Sequence, residues 1–259
     1  MNTINSLFDL TGKIAVVTGG GDGIGKACCE ILAASGASVV VSDRTLEKAR
    51  TVADKIIETG GKAIGVACDV LNDADLVNLV DKTVAEYGTV NILVNNAGGG
   101  GGGQENPFRI DLAYLERIFR LNVFSAWRLC QLAVPYMAKS GYGSIINITS
   151  MASRDKSPNM SAYASSKAAL NHMAENLAYD FGPMGVRINN VGPGATKTNA
   201  LLSVLTPDIE AKMLAHTPLK RLGEVGDITG AVLYFAAPVS EWVSGQTLFV
   251  NGGGVQTLD

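Results

Sequence analysis

The stretch spanning residues 13–31 constrains the fold of this chain more than any other. Residues 13–18 (K-I-A-V-V-T) form a short, nearly continuous apolar run, the pattern of a strand buried on both faces. T-G-G-G-D-G-I-G follows at residues 18–25, and Ile24, Ala27, Cys28 and Ile31 then recur at helical spacing. Glycines at 19, 23 and 25 let backbone approach a pyrophosphate closely. The helix behind them, beginning near Ile24, offers unpaired N–H groups and the positive end of its dipole. Gly19, Asp22, Gly23, Ile24 and Gly25 are therefore the expected dinucleotide-binding turn.

The alternation that begins there continues. Residues 38–42 read as a second buried strand, and Leu46, Ala49, Val52, Ala53, Ile56 and Ile57 as a helix ended by Gly60 and Gly61. Strands are expected at 62–67, 91–94, 144–148, 186–191 and 247–250. Helices are expected through Leu76–Tyr87 spacing, at 111–139 as one long stretch, at 161–181 and at 226–237. Helices long enough to cross over between buried strands predict an α/β fold. The expected architecture is a doubly wound, Rossmann-type parallel sheet of about seven strands with helices on both faces. No linker, repeat or charge block divides residues 1–259, so one domain is expected.

The acidic residues near the glycine turn bear on the choice of dinucleotide. Asp43 stands 18 residues after Gly25, where a carboxylate accepts from the adenosine ribose hydroxyls, and Asp22 adds a second anion. Both oppose a 2′-phosphate. Arg44 pulls the other way, because it can pair with that phosphate or simply face water. The balance favours NAD. Asp69 and Val70 follow the third strand within reach of an adenine, and Asn96, Ala97 and Gly98 end the fourth strand where such sheets bind ligands. Residues 98–103 are six consecutive glycines, either a rim over the site or a loose loop.

Tyr163 and Lys167 lie four residues apart, on one face of an expected helix. At roughly 4 Å and an effective dielectric of about 20, opposite charges attract by about 4 kcal/mol. That would lower a tyrosine from about 10 toward about 7, absent any opposing desolvation. On spacing alone, an exposed helix pair is the plainer reading.

The assembled motifs resemble the short-chain dehydrogenase/reductase family: T-G-x-x-x-G-x-G at 18–25, N-N-A-G at 95–98, Asn122, Ser150, Y-x-x-x-K at 163–167 and P-G-x-x-x-T at 193–198. The resemblance covers essentially the whole chain. It implies hydride transfer between NAD and a secondary alcohol, with Tyr163 as general base, Lys167 lowering its pKa and holding the nicotinamide ribose, Ser150 on the substrate oxygen and Asn122 holding a relay water. It implies cofactor contacts at Pro193, Gly194, Thr196 and Thr198, and a homotetramer packed through the helices at 111–139 and 161–181. Further strings are similar to bacterial 7α-hydroxysteroid dehydrogenases: N-A-G-G-G-G at 96–101, L-N-V-F-S at 121–125, I-T-S-M-A at 148–152, and T-P-x-I-E-x-K-M-L-x-H-T-P at 206–218. The substrate this implies is a bile acid or other steroid. The glycine run is longer than that pattern expects.

Residues 195–222 carry Leu201, Leu202, Leu205, Ile209, Met213 and Leu214 without a clear period. They suit a lid over a bulky apolar substrate, or packing on the chain's own core or on a second subunit. Two rival functions remain: an NADP-dependent 3-oxoacyl carrier-protein reductase, which normally wants a base where Asp22 stands, and a non-catalytic dinucleotide sensor or scaffold, which has no use for Ser150, Tyr163, Lys167 and Asn122 together. A net charge of −3 argues against nucleic-acid affinity, and no apolar run spans a bilayer. The first residues lack a signal-type core, so cytoplasm is the expected compartment. Cys28, Cys29, Cys68 and Cys130, with His172 and His216, show no metal-ligand spacing, so no metal is expected.

Overall fold

The computed structural model describes residues 4–100, 105–156 and 158–254. Its strands are β1 (Ile14–Thr18), β2 (Ser38–Asp43), β3 (Lys62–Ala67), β4 (Ile92–Asn95), β5 (Gly143–Ile148), β6 (Val186–Pro193) and β7 (Thr247–Val250). They form one sheet in the order β3-β2-β1-β4-β5-β6-β7, every neighbouring pair parallel. The chain runs outward one way from β1 and then returns to begin again at β4. That reversal leaves a crevice at the carboxyl ends of β1 and β4, where such sheets take ligands.

After a short α1 (Ile4–Leu7), α2 (Gly23–Ala34) and α3 (Leu46–Glu58) cover one face of the sheet together with α10 (Val225–Ala236). The other face is covered by α4 (Asp73–Tyr87), α6 (Ser125–Ser140) and α7 (Ser161–Phe181). The strands are apolar on both sides because each face meets a helical layer: β1 and β4 are buried at every position. The helix ends carry local stop and start signals. The Asn72 side chain accepts from the Ala74 N–H ahead of α4, and Gly88 ends that helix in the left-handed region at φ 82. Burial pushes the Cys28 and Cys130 thiols up to about 12, as suits small apolar core residues.

One feature of the sheet runs against its apolar character. Asn95, Asn147 and Asn190 occupy matching registers on β4, β5 and β6, with Thr247 next on β7. Asn95 donates to Asn147 Oδ1 at 2.9 Å, Asn147 to Asn190 Oδ1 at 3.0 Å, and Asn190 to Thr247 Oγ1 at 3.0 Å. Each amide is a donor to the next, so a chain of side-chain hydrogen bonds crosses the interior, while Asn95 Oδ1 at its end accepts none. A slip of one residue in any of these strands breaks it.

The helix expected over 111–139 is interrupted. α5 (Leu112–Phe119) passes into a π-helical turn, Arg120–Phe124, before α6 begins. The wider turn holds Asn122 inward, 2% exposed, where its amide bonds to Gly99 and to Ser166 of α7. Such turns recur at functional sites because the extra residue re-aims one side chain. Two short helices, α8 (Asn199–Leu202) and α9 (Pro207–Ala215), occupy the irregular segment.

Candidate active site

The crevice at the ends of β1, β4 and β5 gathers most of the site residues expected from the sequence. β1 ends at Thr18, and α2 begins five residues later with Asp22 as its N-cap, accepting from the Gly23 N–H at 2.7 Å. Gly19 (φ 62) and Gly23 (φ 54) lie in the left-handed region. A Cβ on Gly25 would collide with the Gly19 carbonyl and the Asn96 amide. The turn is thus folded tightly on itself, with the first N–H of α2 held by Asp22. Asp43, at the end of β2, braces it: Oδ2 accepts from the Gly21 N–H at 3.2 Å and Oδ1 from Thr45 at 3.0 Å. Arg44 beside it is exposed. The cradle fits a dinucleotide: bare backbone at the glycines, a helix N-terminus behind them and a carboxylate at the end of β2.

Several expected contact residues turn out to have structural partners. Asn96 Nδ2 donates to the carbonyls of Thr18 and Gly19, at 2.9 and 3.1 Å, and so holds the glycine turn from below. Thr18 Oγ1 accepts from the backbone N–H groups of Asn96 and Ala97. Thr18 is buried and joins β1 to β4 at the crevice floor, a role its place in the motif did not reveal. The Asp69 carboxylate accepts from Leu71 N–H, closing its own turn, and Val70 is buried. Thr196 donates to the Gly194 carbonyl, and Thr198 caps α8 by accepting from Leu201 N–H while its methyl group faces Gly23. Gly194, just beyond Pro193 at the end of β6, lies so close to Asn251 that a Cβ would sit 2.8 Å from its Cα.

Ser150 follows β5 and caps a 3₁₀ turn, Met151–Ser153. Tyr163 and Lys167 come from the first two turns of α7. The Ser150 hydroxyl stands beside the Tyr163 phenol and accepts from the Ala152 N–H at 3.1 Å. Lys167 is 4% exposed, and its Nζ donates to the Ile148 carbonyl at 2.8 Å. That ammonium lies 5.8 Å from the centre of the Tyr163 ring. The pair therefore differs from the close ion pair that spacing alone suggests. Burial dominates both groups. It raises the Tyr163 hydroxyl above its usual range, with the Ser150 hydroxyl opposing and the Glu105 charge adding, and it lowers Lys167 to about 8.

The first glycines of the six-residue run form one wall of this site. Asn122 donates to the Gly99 carbonyl at 2.8 Å and accepts from its N–H at 3.0 Å. A Cβ on Gly98 would sit 2.7 Å from Asn122 Oδ1 and 3.0 Å from Lys167 Nζ, and one on Gly100 would strike the Tyr163 ring. Residues 101–103, the rest of the run, lie outside the described residues. Glu105, two residues past the run, was not among the expected site residues, yet it is 1% exposed and reaches the backbone of Tyr163.

Known proteins are similar to this chain along nearly its whole length. A family model described as enoyl-(acyl carrier protein) reductase matches residues 19–254. The chain is 49% identical over 250 residues to the 7α-hydroxysteroid dehydrogenase of Escherichia coli, covering 96% of this chain and 97% of that one. It is 36% identical to a 7α-hydroxysteroid dehydrogenase of Clostridium sardiniense, over 94% of each chain. Among solved structures, a 7α-hydroxysteroid dehydrogenase complexed with NADH and 7-oxo glycochenodeoxycholic acid gives a TM-score of 0.95 at 48% identity, covering 100% of both chains. A short-chain type dehydrogenase/reductase from Mycobacterium marinum gives 0.91 at 32%, covering 97% and 98%. The parallel seven-stranded sheet, the glycine turn and these full-length matches agree, and the chain belongs to the short-chain dehydrogenase/reductase family.

Proposed function

We propose that this chain is an NAD-dependent hydroxysteroid dehydrogenase acting on the 7α-hydroxyl of a bile acid. The carrying observation is the full-length similarity to a 7α-hydroxysteroid dehydrogenase complexed with NADH and a 7-oxo bile acid. The NAD nicotinamide ring, when bound, supplies the hydride acceptor for the carbinol carbon. Tyr163 takes the hydroxyl proton as the alcohol becomes a ketone. Ser150, beside the phenol, donates to the substrate oxygen. Lys167, anchored on Ile148, holds the nicotinamide ribose and keeps a positive charge near the reacting phenol. Asn122 carries both amide hydrogens on Gly99 and Ser166 and its Oδ1 accepts from the Gly99 N–H, which leaves the widened helical turn to hold a relay water. Gly19, Gly23, Ile24 and Gly25 seat the pyrophosphate; Asp43 and Arg44 meet the adenosine ribose; Asp69 and Val70 border the adenine. Asn96–Gly98, Pro193, Gly194, Thr196 and Thr198 shape the nicotinamide end.

Residues 195–222 form the substrate lid in this reading. Neither α8 nor α9 has a buried residue, so Leu201, Leu202, Leu205, Ile209, Met213 and Leu214 are not absorbed into the core. An apolar steroid nucleus supplies the missing partner. Exposed Phe124 and Trp127 on the α5–α6 helix are the faces for a homotetramer. No helix among the described residues is long and apolar enough to cross a membrane, and a cytoplasmic enzyme is the assignment we adopt.

The test is NADH formation with cholic, chenodeoxycholic, deoxycholic and ursodeoxycholic acids, with NADP compared in parallel. Turnover of the first two and none of the last two is expected. Equal turnover of deoxycholic acid, which lacks the 7α-hydroxyl, overturns the substrate. A preference for NADP with a 3-oxoacyl substrate favours the carrier-protein reductase. NAD binding without oxidation of any alcohol favours the sensor.

A further inference from the structure

The helix that carries Tyr163 does not cap itself. α7 begins at Ser161, and its N-cap residue, Met160, has no side-chain acceptor to offer the first N–H groups. Those groups are met from outside the helix. Glu105 Oε2 accepts from the Ala162 N–H at 2.8 Å and from the Tyr163 N–H at 3.2 Å. Its other oxygen, Oε1, accepts from the Tyr114 hydroxyl of α5 at 3.0 Å. The Glu105 N–H in turn donates to the Asn159 carbonyl at 2.9 Å, one residue before the cap. A carboxylate 1% exposed is thus paired with two helix N-terminal donors, a phenol and the positive end of the α7 dipole.

The position of these bonds matters more than their number. They hold the backbone of Tyr163 itself, whose ring also lies against Gly100. Glu105 stands just past the glycine run, and Asn122 grips that run at Gly99. Gly99 is therefore tied to the Asn122 turn and Glu105 to the first turn of α7.

We propose that Glu105 is a positioning residue for the reaction: a cap supplied from a distant loop of the same chain that sets where the Tyr163 hydroxyl stands relative to the substrate oxygen. This rests on reading Tyr163 as the proton-transfer group. Misplacing a reacting group by about 1 Å costs on the order of a hundredfold in rate. Loss of the cap therefore lowers kcat while leaving the cofactor cradle, built by β1, β2 and α2, unchanged.

Three variants separate shape from charge. Glu105→Gln keeps an acceptor oxygen at full reach. Glu105→Asp keeps the charge but withdraws the carboxylate by one methylene, and remains useful should Glu105→Ala fail to fold. Each is assayed for cholic acid oxidation and for hydrogen exchange over residues 161–166. Asp and Ala are expected to lose at least about tenfold in kcat, with KM for NAD within about threefold of wild type and faster exchange in that turn. Gln is expected to stay within about threefold of wild type in kcat. Wild-type kcat and exchange in Glu105→Asp overturn the proposal, as does a loss in Glu105→Gln equal to that in Glu105→Ala. Absence of cholic acid turnover in the wild type overturns the steroid reading separately, and exchange in the variants then decides the cap.

Discussion

Lys167 Nζ donates to the carbonyl of Ile148 at 2.8 Å, so the buried ammonium is tied to the end of β5 and not to the phenol one turn away. This has a consequence for stability. Burial lowers Lys167 from the usual lysine value to about 8. Below about pH 8 the lysine is charged in folded and unfolded chains alike, and the cost of burying the charge is fully present. From about 8 to about 10.5 the unfolded chain binds more protons, so stability rises with pH through that window. The full span corresponds to roughly 3 kcal/mol. Lys167→Met removes this dependence. Denaturant melts of both proteins at pH 7 and pH 10 are expected to show the wild type gaining on the variant at the higher pH; a constant difference overturns the buried-ammonium description.

Tyr163→Phe deletes one oxygen and leaves the ring against Gly100. Turnover is expected to fall by on the order of a thousandfold or more, the scale of a lost acid–base group. NADH binding, followed by fluorescence, is expected to survive within about threefold, because the cradle is built by other elements. A variant retaining a tenth of wild-type activity removes Tyr163 from the role.

Asn147 stands in the middle of the amide row, 0% exposed. Replacing it by valine suits a strand but strands two neighbours: the Asn95 Nδ2 donor and the Asn190 Oδ1 acceptor. Each unpaired buried group costs about 1–3 kcal/mol, so a loss of roughly 2–6 kcal/mol is expected in urea unfolding. Loss of under about 0.5 kcal/mol would mean that the row contributes nothing beyond what apolar packing supplies.

That row shows where sequence reading stops. β1, β4 and β5 are legible because a strand covered on both faces must be an apolar run, the edge strands β3 and β7 only from their bounding turns, and the glycine turn because only glycine permits its backbone. The three asparagines read as isolated polar residues, since their alignment exists only once register is set. The spacing of Tyr163 and Lys167 placed them on one helical face, but the direction of the ammonium depends on the Ile148 carbonyl of a distant strand. The π turn at Asn122 follows from contacts with Gly99 and Ser166 that no helical period contains. Glu105 has no local signal at all: it is a polar residue in a loop, and its partners are on α5 and α7.

Gly98→Ala tests how closely the glycine wall is fitted. The added carbon meets Asn122 Oδ1 at 2.7 Å and Lys167 Nζ at 3.0 Å, so one of these must shift. Gly98 carries no left-handed φ, and the strain is therefore in the site and not in its own backbone. A loss of roughly tenfold to a hundredfold in kcat is expected, with the unfolding midpoint changed by less than about 2 kcal/mol in equivalent free energy. Unchanged kcat would show that the wall has room to give.

Asn199 at the start of α8 donates to both oxygens of Asp22, at 3.0 and 2.9 Å, joining the segment proposed as a lid to the cap of α2. The dinucleotide proposed for the glycine turn would be seated beside that link. The Asn199 hydrogen bond is the main cause holding Asp22 below the ordinary carboxylate range. The link is therefore at full strength above that range and weakens only as pH falls through the lowered value. Both residues are exposed, so water competes and the effect is modest. Asn199→Ala is expected to speed NADH dissociation by about threefold to tenfold in stopped-flow fluorescence, the scale of one hydrogen bond to a charged acceptor discounted for exposure. If lid opening limits turnover, kcat rises with it. Dissociation equal to that of wild type would show that the Asp22–Asn199 contact does not restrain the lid.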